Sequence, residues 1–404
     1  MPSGIVPRMS KERKPMTHGY GDVRLAGRTV IFNSETTPYT NRLFEDLKES
    51  GCDISVMSCV KQEANRAWAK SIHPTYRHMV LRGFTIRLSE ARFAHINFGI
   101  FSRLRELKPS RLIIYGIFPS MLMAVLWARF NKVPFGLYTD GWAGTMPTTI
   151  YHRLVRPFIL KRCAAVACCG TKGAAYVRGQ GVDEDRVFIV PIVPGWEGPA
   201  KIARFDEREF DILWCAHMND SAKNVSFFLD VVLRLKKQLS NLKVRLVGEG
   251  PMKRAVLKRL EVAKVFYRHD SYIDWFAMAS VFTSSKLLLF PSLWEPWGLV
   301  CNEAMQCGTP AIASPAAGAA DDLVVSGANG LILPLDAKQW ASEAQRILTD
   351  QEEWNRLSKS ALGDSRCRTM SRSVAQYKRF LEAVCDPASM SEAEAARPGR
   401  AHSG

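Results

Sequence analysis

Residues 290–308 read FPSLWEPWGLVCNEAMQCG and form the most informative stretch of the chain. An apolar strand ends at Pro291, a loop carries Glu295, and a helix that follows Gly298 carries Glu303, which is the strand–loop–helix unit of a parallel α/β sheet. The spacing of eight positions is expected to turn both carboxylates toward one cleft. Carboxylates there can accept paired hydrogen bonds from the vicinal hydroxyls of a sugar or a ribose. The alternative interpretation is a solvated glutamate and a helix charge favoured by the helix dipole.

Alternating strand and helix patterns continue on both sides of this unit. Residues 190–200 interrupt them with three prolines and two glycines, which predicts a linker with a hinge near residue 195. We therefore expect an α/β fold with two Rossmann-like, doubly wound domains that face each other across a cleft, with the ligand site at the carboxyl ends of the strands. The predicted strands are residues 29–33, 53–59, 111–115, 135–139, 164–169, 211–215, 243–247, 287–290, 311–314 and 330–333.

The same patterns predict how the chain divides. The parts are a flexible basic leader (1–27), an N-terminal domain (28–192), a linker (193–205), a C-terminal domain (206–365), a helix returning toward the N-terminal domain (366–386) and a flexible tail (387–404).

Charge is distributed unevenly over the 404 residues. Residues 1–200 hold 28 basic and 15 acidic side chains, a net +13, while residues 201–404 hold 27 and 24, a net +3. The first half is therefore expected to meet an anionic partner: nucleic acid, an acidic membrane surface or a phosphorylated substrate. No helix-turn-helix, zinc-finger or RNA-binding-sheet pattern is found, so we expect no nucleic acid.

The ten cysteines show no CxxC pair and no zinc-type spacing with histidine. They are predicted to be reduced core residues of a cytoplasmic protein, with no metal site. The start of the chain is basic and lacks an apolar segment, so no signal peptide is predicted.

Residues 287–350 resemble the C-terminal domain of family-4 retaining glycosyltransferases, which have the GT-B architecture and an E-x7-E element. A weaker likeness extends upstream to about residue 210, through Lys223-Asn224 and the stretch 246–251. The matching positions are Pro291, Ser292, Glu295, Gly298, Glu303, Ala304, Met305, Gly308 and Pro310, followed by Gly318, Asp322 and Asn329-Gly330.

The resemblance implies roles around a nucleotide-diphosphate sugar. It implies that Lys223 contacts the diphosphate, that Glu303 holds the ribose and that Glu295 holds the donor sugar. The amides that follow Glu295, at Gly298, Leu299 and Val300, are expected to face the phosphates. These roles also have ordinary structural alternatives. A lysine before a helix, such as Lys223, is often only a solvated surface residue.

Glycines after a strand leave the backbone open for a nucleotide, so Gly248, Gly250 and Pro251 are further donor-site candidates. An ordinary strand-to-helix turn is the alternative. The family often has an arginine five residues before its lysine, and this chain has none there. His217 is the candidate substitute, although a lone histidine near a strand end is more often structural.

The N-terminal half supplies less specific candidates. Asp140 follows a predicted strand where the family often has a histidine that contacts the transferred sugar, and a turn-forming Asp-Gly is the alternative. Glu35, Thr37 and Tyr39 follow the first strand and are acceptor-binding candidates, although their surroundings also suit a plain loop and helix cap. Basic and apolar residues interleave through 77–111, which predicts either a surface for anionic lipid or ordinary solvated helix faces.

Together these patterns predict a retaining glycosyltransferase (a hexosyltransferase) that moves a sugar from a nucleotide-diphosphate donor to a hydroxyl of a glycan or lipid-linked acceptor. Polysaccharide or glycolipid biosynthesis is the pathway that the resemblance implies, without a cofactor or an essential metal, in the cytoplasm or at the inner face of the membrane. The alternatives are a sugar-nucleotide epimerase of the same fold and a non-catalytic sugar-nucleotide-binding homologue. A phosphorylase would need a lysine in a pyridoxal-binding context, which we do not identify.

Overall fold

The computed structural model describes residues 25–63, 72–88, 93–196, 198–366 and 368–385. Residues 1–24 of the predicted leader and the whole predicted tail, 387–404, lie outside the described residues.

The first half of the chain builds a seven-stranded parallel sheet and a separate pair of antiparallel strands. In the seven-stranded sheet the order is β3-β2-β1-β6-β7-β8-β9. The strands are β1 (Thr29–Asn33), β2 (Ile54–Ser58), β3 (Arg77–Val80), β4 (Gly83–Arg87), β5 (Phe93–Asn97), β6 (Arg111–Tyr115), β7 (Phe135–Thr139), β8 (Ala165–Cys168) and β9 (Val187–Ile189). The helices are α1 (Pro38–Glu49), α2 (Ile100–Leu107), α3 (Pro119–Phe130), α4 (Ile150–Leu160) and α5 (Thr171–Gly179).

The second half builds a six-stranded parallel sheet with the order β12-β11-β10-β13-β14-β15. Its strands are β10 (Phe210–Cys215), β11 (Lys243–Val247), β12 (Phe266–Asp270), β13 (Ser285–Phe290), β14 (Ala311–Ala313) and β15 (Gly330–Ile332). The helices are α6 (Val225–Gln238), α7 (Lys253–Val262), α8 (Met278–Thr283), α9 (Leu299–Gln306), α10 (Ala337–Thr349), α11 (Gln351–Arg366) and α12 (Met370–Cys385).

The seven-stranded sheet with its flanking elements is the first domain, and the six-stranded sheet with its flanking elements is the second domain. Central strands such as β1 and β13 are apolar and buried on both faces, as strands covered by helices on two sides must be. The prediction of two doubly wound α/β sheets is therefore confirmed.

Helix α12 belongs to the end of the chain but packs on the first domain. Tyr377, Phe380 and Val384 are fully buried there, and the helix contacts α1, β7, β8 and β9. The side chain of Tyr377 also meets the Tyr115 hydroxyl of β6 at 3.1 Å. The last helix therefore ties the two ends of the described chain to the same sheet.

In residues 77–111 the structure departs from the predicted alternative of ordinary solvated helix faces. They form β3, the antiparallel pair β4 and β5, and only then the helix α2. Every residue of β4 is exposed, so the apolar side chains that alternate along it are not buried as those of a strand usually are. No helix in the described part of the chain is long and apolar enough to cross a membrane.

Candidate active site

An ion pair between Lys223 and Glu295 occupies the carboxyl ends of β10 and β13. The Lys223 Nζ donates to the Glu295 Oε2, and both side chains are largely buried. We call residues 216–224 the Lys223 loop and residues 292–298 the Glu295 loop. The two loops are joined by main-chain bonds, because the carbonyl oxygen of Ala222 accepts from the amides of Leu293 (2.8 Å) and Trp294 (3.2 Å).

Glu303 lies on α9, just over one turn after the helix begins, and it is partly buried. Its Oε1 accepts a hydrogen bond from the indole Nε1 of Trp196 at 3.3 Å. Burial raises the pKa of Glu303 to about 7, and the Trp196 hydrogen bond opposes this rise only in part. Trp196 belongs to the segment that joins the two domains and was not among the predicted site residues. A lone tryptophan in a Pro- and Gly-rich linker was the only sequence signal for it.

Gly248, Gly250 and Pro251 lie between β11 and α7, beside the Lys223 loop. A Cβ on Gly248 would collide with the carbonyl oxygen of Ala216, and one on Gly250 with that of Met218. Both glycines have positive φ angles, 133° and 156°. The close approach of two loops is thus a local reason for these glycines, in addition to the predicted contact with a nucleotide.

The position that holds arginine in the resembling family is Met218, whose side chain is fully buried. Its amide donates to the Glu249 carbonyl oxygen at 2.7 Å, so it ties the Lys223 loop to the glycine-containing loop. His217 beside it is exposed. The structure therefore leaves Lys223 and His217 as the basic side chains of this loop.

The first turn of α9 adds main-chain donors to the site. Gly298 precedes the helix with a φ of 109°, and Leu299 and Val300 are its first two residues. Amides in the first turn of a helix have no acceptor within that helix and carry partial positive charge. They follow the Glu295 loop directly, so an anion held near Lys223 would also lie near this helix end.

The first domain contacts the Glu295 loop through Trp142. The indole Nε1 of Trp142 donates to the main-chain oxygen of Glu295 at 3.1 Å. Asp140, two residues earlier and exposed, lies on the same loop after β7. The structure therefore brings the loop of a predicted catalytic residue of the first domain to the loop of Glu295. Trp142 itself was missed, because nothing local distinguishes it from other tryptophans.

Helix α5 makes a second contact across the cleft. The Thr171 amide donates to the Asp322 Oδ2 at 2.7 Å. Lys172 donates to the carbonyl oxygens of Pro315 (2.9 Å) and Ala317 (3.0 Å), and its Nζ lies 5.2 Å from the centre of the Trp142 ring. Burial lowers the pKa of Lys172, and nearby carboxylates oppose the change. Residues 315–322 and the Glu295 loop are thus held by neighbouring residues of the first domain.

The three predicted acceptor-binding residues follow β1, and two of them have local structural roles. The Glu35 side chain is buried and accepts from the Glu63 amide at 2.7 Å. The Thr37 hydroxyl caps α1 by accepting from the Thr40 amide at 3.3 Å. Tyr39 is half-buried in the first turn of that helix. Their role toward an acceptor stays a prediction.

No group of three or more His, Cys, Asp or Glu side chains within the described ranges is arranged to hold a metal ion. The described cysteines are free thiols, and seven of them are buried.

Comparison with known families places the site in a recognised domain. Residues 209–350 match the family model described as "Glycosyl transferases group 1". This range contains the Lys223 loop, the Glu295 loop and Glu303. The predicted glycosyltransferase class is confirmed for this domain.

Two curated relatives match parts of the same chain. The 2-deoxystreptamine N-acetyl-D-glucosaminyltransferase of Streptomyces fradiae is 30% identical over 139 residues, which is 33% of each protein. The D-inositol 3-phosphate glycosyltransferase of Stackebrandtia nassauensis is 36% identical over 86 residues, 21% of this chain and 19% of that protein. The chain thus spans a third or less of the length of the curated relatives that it matches.

Solved structures resemble this chain over most of its length. Anabaena HepE in complex with UDP and glucose has a TM-score of 0.68 at 12% identity, over 88% of this chain and 99% of that one. TarM also has a TM-score of 0.68, at 10% identity, over 90% of this chain and 100% of that one. Likeness at this identity establishes the fold, and the predicted GT-B architecture is confirmed.

Proposed function

We propose that the chain is a retaining glycosyltransferase that takes its sugar from a nucleotide-diphosphate donor. The observation that carries the proposal is the Lys223–Glu295 ion pair at one end of the second sheet, with Glu303 on the helix that follows the Glu295 loop. A cation, a paired carboxylate and a partly buried carboxyl there match the three parts of such a donor: diphosphate, sugar and ribose.

The Lys223–Glu295 ion pair suggests how the site is kept ordered before a donor binds. A buried charge left without a partner is costly, so each side chain holds the other in place until a ligand arrives. In the proposed complex the diphosphate takes Lys223, and the sugar hydroxyls donate to Glu295. The donor therefore replaces one ion pair by two sets of charge-assisted contacts.

In the proposed transfer the bond from the sugar C1 to the diphosphate oxygen breaks and a bond from C1 to the acceptor oxygen forms on the same face. The acceptor proton goes to the leaving diphosphate. Negative charge grows on that diphosphate, so Lys223 and the first amides of α9 stabilise the transition state most. Asp140 is placed on the loop that reaches this site, where it would orient the acceptor hydroxyl or the sugar.

The acceptor is proposed to be a glycan or a lipid-linked saccharide held by the basic first domain, in polysaccharide or glycolipid biosynthesis. Glu35, Thr37 and Tyr39 are the candidate contacts, and no metal is required for the step. We further propose a cytoplasmic location at the inner face of a membrane.

The first experiment is a thermal-shift panel of UDP, GDP, ADP and their sugars with the whole protein. At about 100 times Kd, a specific ligand adds roughly 2.7 kcal/mol to the free energy of unfolding. One nucleotide should stabilise the wild type but not Glu303→Ala. The same sugar nucleotide should then be turned over by the wild type, and Glu295→Gln should reduce turnover at least about a hundredfold. Glu261→Gln, at an exposed glutamate of α7, is the matched control and should change neither result.

The buried Met218 favours a second candidate, a non-catalytic sugar-nucleotide-binding protein, because the diphosphate has one fixed cation fewer on this loop. Binding without transfer to any acceptor would support this candidate. Conversion of the donor to its epimer without an acceptor would indicate the epimerase. If no nucleotide stabilises the protein, the donor site itself is refuted.

A further inference from the structure

Strands β4 and β5 form a small antiparallel sheet that lies outside the seven-stranded sheet. One of its faces is turned inward. The Thr85 hydroxyl lies 3.0 Å from the Nδ1 of His95, and the His95 ring is fully buried and meets the Phe118 ring edge-on at 5.5 Å. Because β5 also packs on α3, the position of the small sheet on the first domain is fixed.

The opposite face of this small sheet is apolar. Strand register pairs Phe84 with Ile96 and Ile86 with Ala94, so their side chains share the outward face. Phe84 is 50% exposed, Ile86 45% and Phe98 62%, and the rings of Phe84 and Phe98 are 6.0 Å apart. We call this the hairpin face, and define it as Phe84, Ile86, Leu88, Ala94, Ile96 and Phe98.

Such a face needs an explanation, because an antiparallel sheet normally turns polar side chains to water. Single exposed apolar residues are ordinary, but a contiguous apolar patch marks an interaction surface. The strand alternation turns the six apolar side chains of the hairpin face outward, and the next outward position, opposite Phe98, is the exposed Arg82.

The charge around the hairpin face indicates what covers it. Residues 77–111 hold eight basic and two acidic side chains, a net +6. Arg82 and Arg87, which lie next to the apolar residues of β4, are exposed, as are Arg103 and Arg105 on α2. Two copies of the chain packed through this face would bring two +6 segments together, which opposes self-association. An apolar centre with basic surroundings instead matches the acyl and headgroup layers of an anionic bilayer.

We propose that the hairpin face docks on an anionic membrane surface. Phe84, Ile86 and Phe98 enter the boundary between headgroups and acyl chains, while the nearby arginines contact the phosphates of the lipids. Docking would hold the first domain, the proposed acceptor domain, against the bilayer. The proposal rests on the proposed location at a membrane and names the surface responsible. Because the hairpin face does not include the donor site, its failure would leave the proposed sugar transfer untouched.

The test is flotation of the full chain with vesicles of phosphatidylcholine alone and of phosphatidylcholine mixed with phosphatidylglycerol. We expect the wild type to float with the mixed vesicles and much less with the neutral ones. The double variant Phe84→Ser/Ile86→Ser should lower partition into mixed vesicles at least about tenfold. Phe130→Ser is the matched control, since Phe130 is 82% exposed at the end of α3, and its partition should equal that of the wild type.

Thermal unfolding and the shift produced by the preferred nucleotide show whether the variants are folded, independently of lipid. Equal flotation of the double variant and the wild type overturns the proposal, as does a wild type that floats with neither vesicle. A wild type that is dimeric without lipid, with the double variant monomeric, also overturns it in favour of a contact between copies of the chain.

Discussion

At the scale of single residues, the two glutamates of the site are in different electrostatic environments. Glu295 faces the ammonium of Lys223, while Glu303 is partly buried and has one indole donor. Burial without a cation disfavours the charged form, which raises the pKa of Glu303 to about 7 from an ordinary value of 4.5. The two carboxylates are therefore suited to different tasks, although they lie only eight positions apart.

Donor binding should depend on pH through Glu303. Ribose hydroxyls donate to an ionised carboxylate, so in the proposed complex binding favours the deprotonated group. Below about pH 7 binding should release a proton, and the donor Kd should rise up to about tenfold for each further pH unit. Calorimetry in buffers of different ionisation enthalpy counts the released proton.

Glu303→Gln is the control for this effect, and it should remove the proton release and flatten the pH profile of Kd. An unchanged profile in this variant would assign the titration to another group. The same raised pKa makes a stability contribution that is full below pH 4.5 and is lost as the pH rises through about 7.

At the scale of elements, Arg208 joins the ends of several strands and helices. Its guanidinium is buried and is held by main-chain oxygens and one hydroxyl, and burial lowers its pKa to about 10. The acceptors are the oxygens of Ala203, Phe282, Ser285, Cys307 and Gly308 and the Thr309 hydroxyl. Phe282, Ser285, Cys307 and Gly308 lie at or just beyond the ends of α8, β13 and α9, so one side chain fixes the C-terminal end of the helix that carries Glu303.

Replacing Arg208 by methionine should destabilise the second domain. The change removes all six hydrogen bonds of the buried guanidinium, and we expect a loss of about 3 kcal/mol in the free energy of unfolding. Urea unfolding followed by tryptophan fluorescence measures it. Arg204→Met, at an exposed arginine four residues away, should change stability by less than about 0.5 kcal/mol. Equal effects of both variants would contradict the role given to Arg208.

At the scale of the whole molecule, a helix of the first domain is capped by a side chain of the second domain, and this cap joins the two domains. Helix α5 begins after Gly170, which has no side chain to cap it, and the Asp322 carboxylate of the second domain accepts from the Thr171 amide instead. Lys172 and Trp142 add contacts to the loops at residues 315–317 and at Glu295. The packing of the first domain is thus coupled to the position of the Glu295 loop.

Asp322→Ala should weaken this coupling. We expect kcat/KM for transfer to fall roughly tenfold, because a carboxylate bond to a helix amide contributes about 1–2 kcal/mol. The Kd for the donor should stay nearly constant, and a larger share of the donor should be hydrolysed because an open cleft admits water. Product analysis gives the ratio of transfer to hydrolysis.

Asp321→Ala is the matched control, since Asp321 is an exposed neighbour whose carboxylate is 3.9 Å from the Lys172 Nζ. It should leave both the rate and the ratio close to those of the wild type. A change of the same size in both variants would mean that only the negative charge matters and not the cap.

Sequence alone determined the alternation of strands and helices, the α/β architecture and the residues of the Lys223 and Glu295 loops. These features are encoded locally, because apolar periodicity and turn residues act over a few positions. The small sheet of β4 and β5 was not predicted, since the apolar side chains of β4 face outward and no core indicates their role.

Only the tertiary structure decided which distant side chains complete the site. Trp142 meets Glu295 and Asp322 caps α5 across some 150 positions of sequence, and Trp196 reaches Glu303 from the linker. No local pattern specifies such pairs, because they depend on how two separately formed sheets pack against each other. The pKa of Glu303 has the same origin: burial among residues from different parts of the chain sets it, and the residue type alone does not.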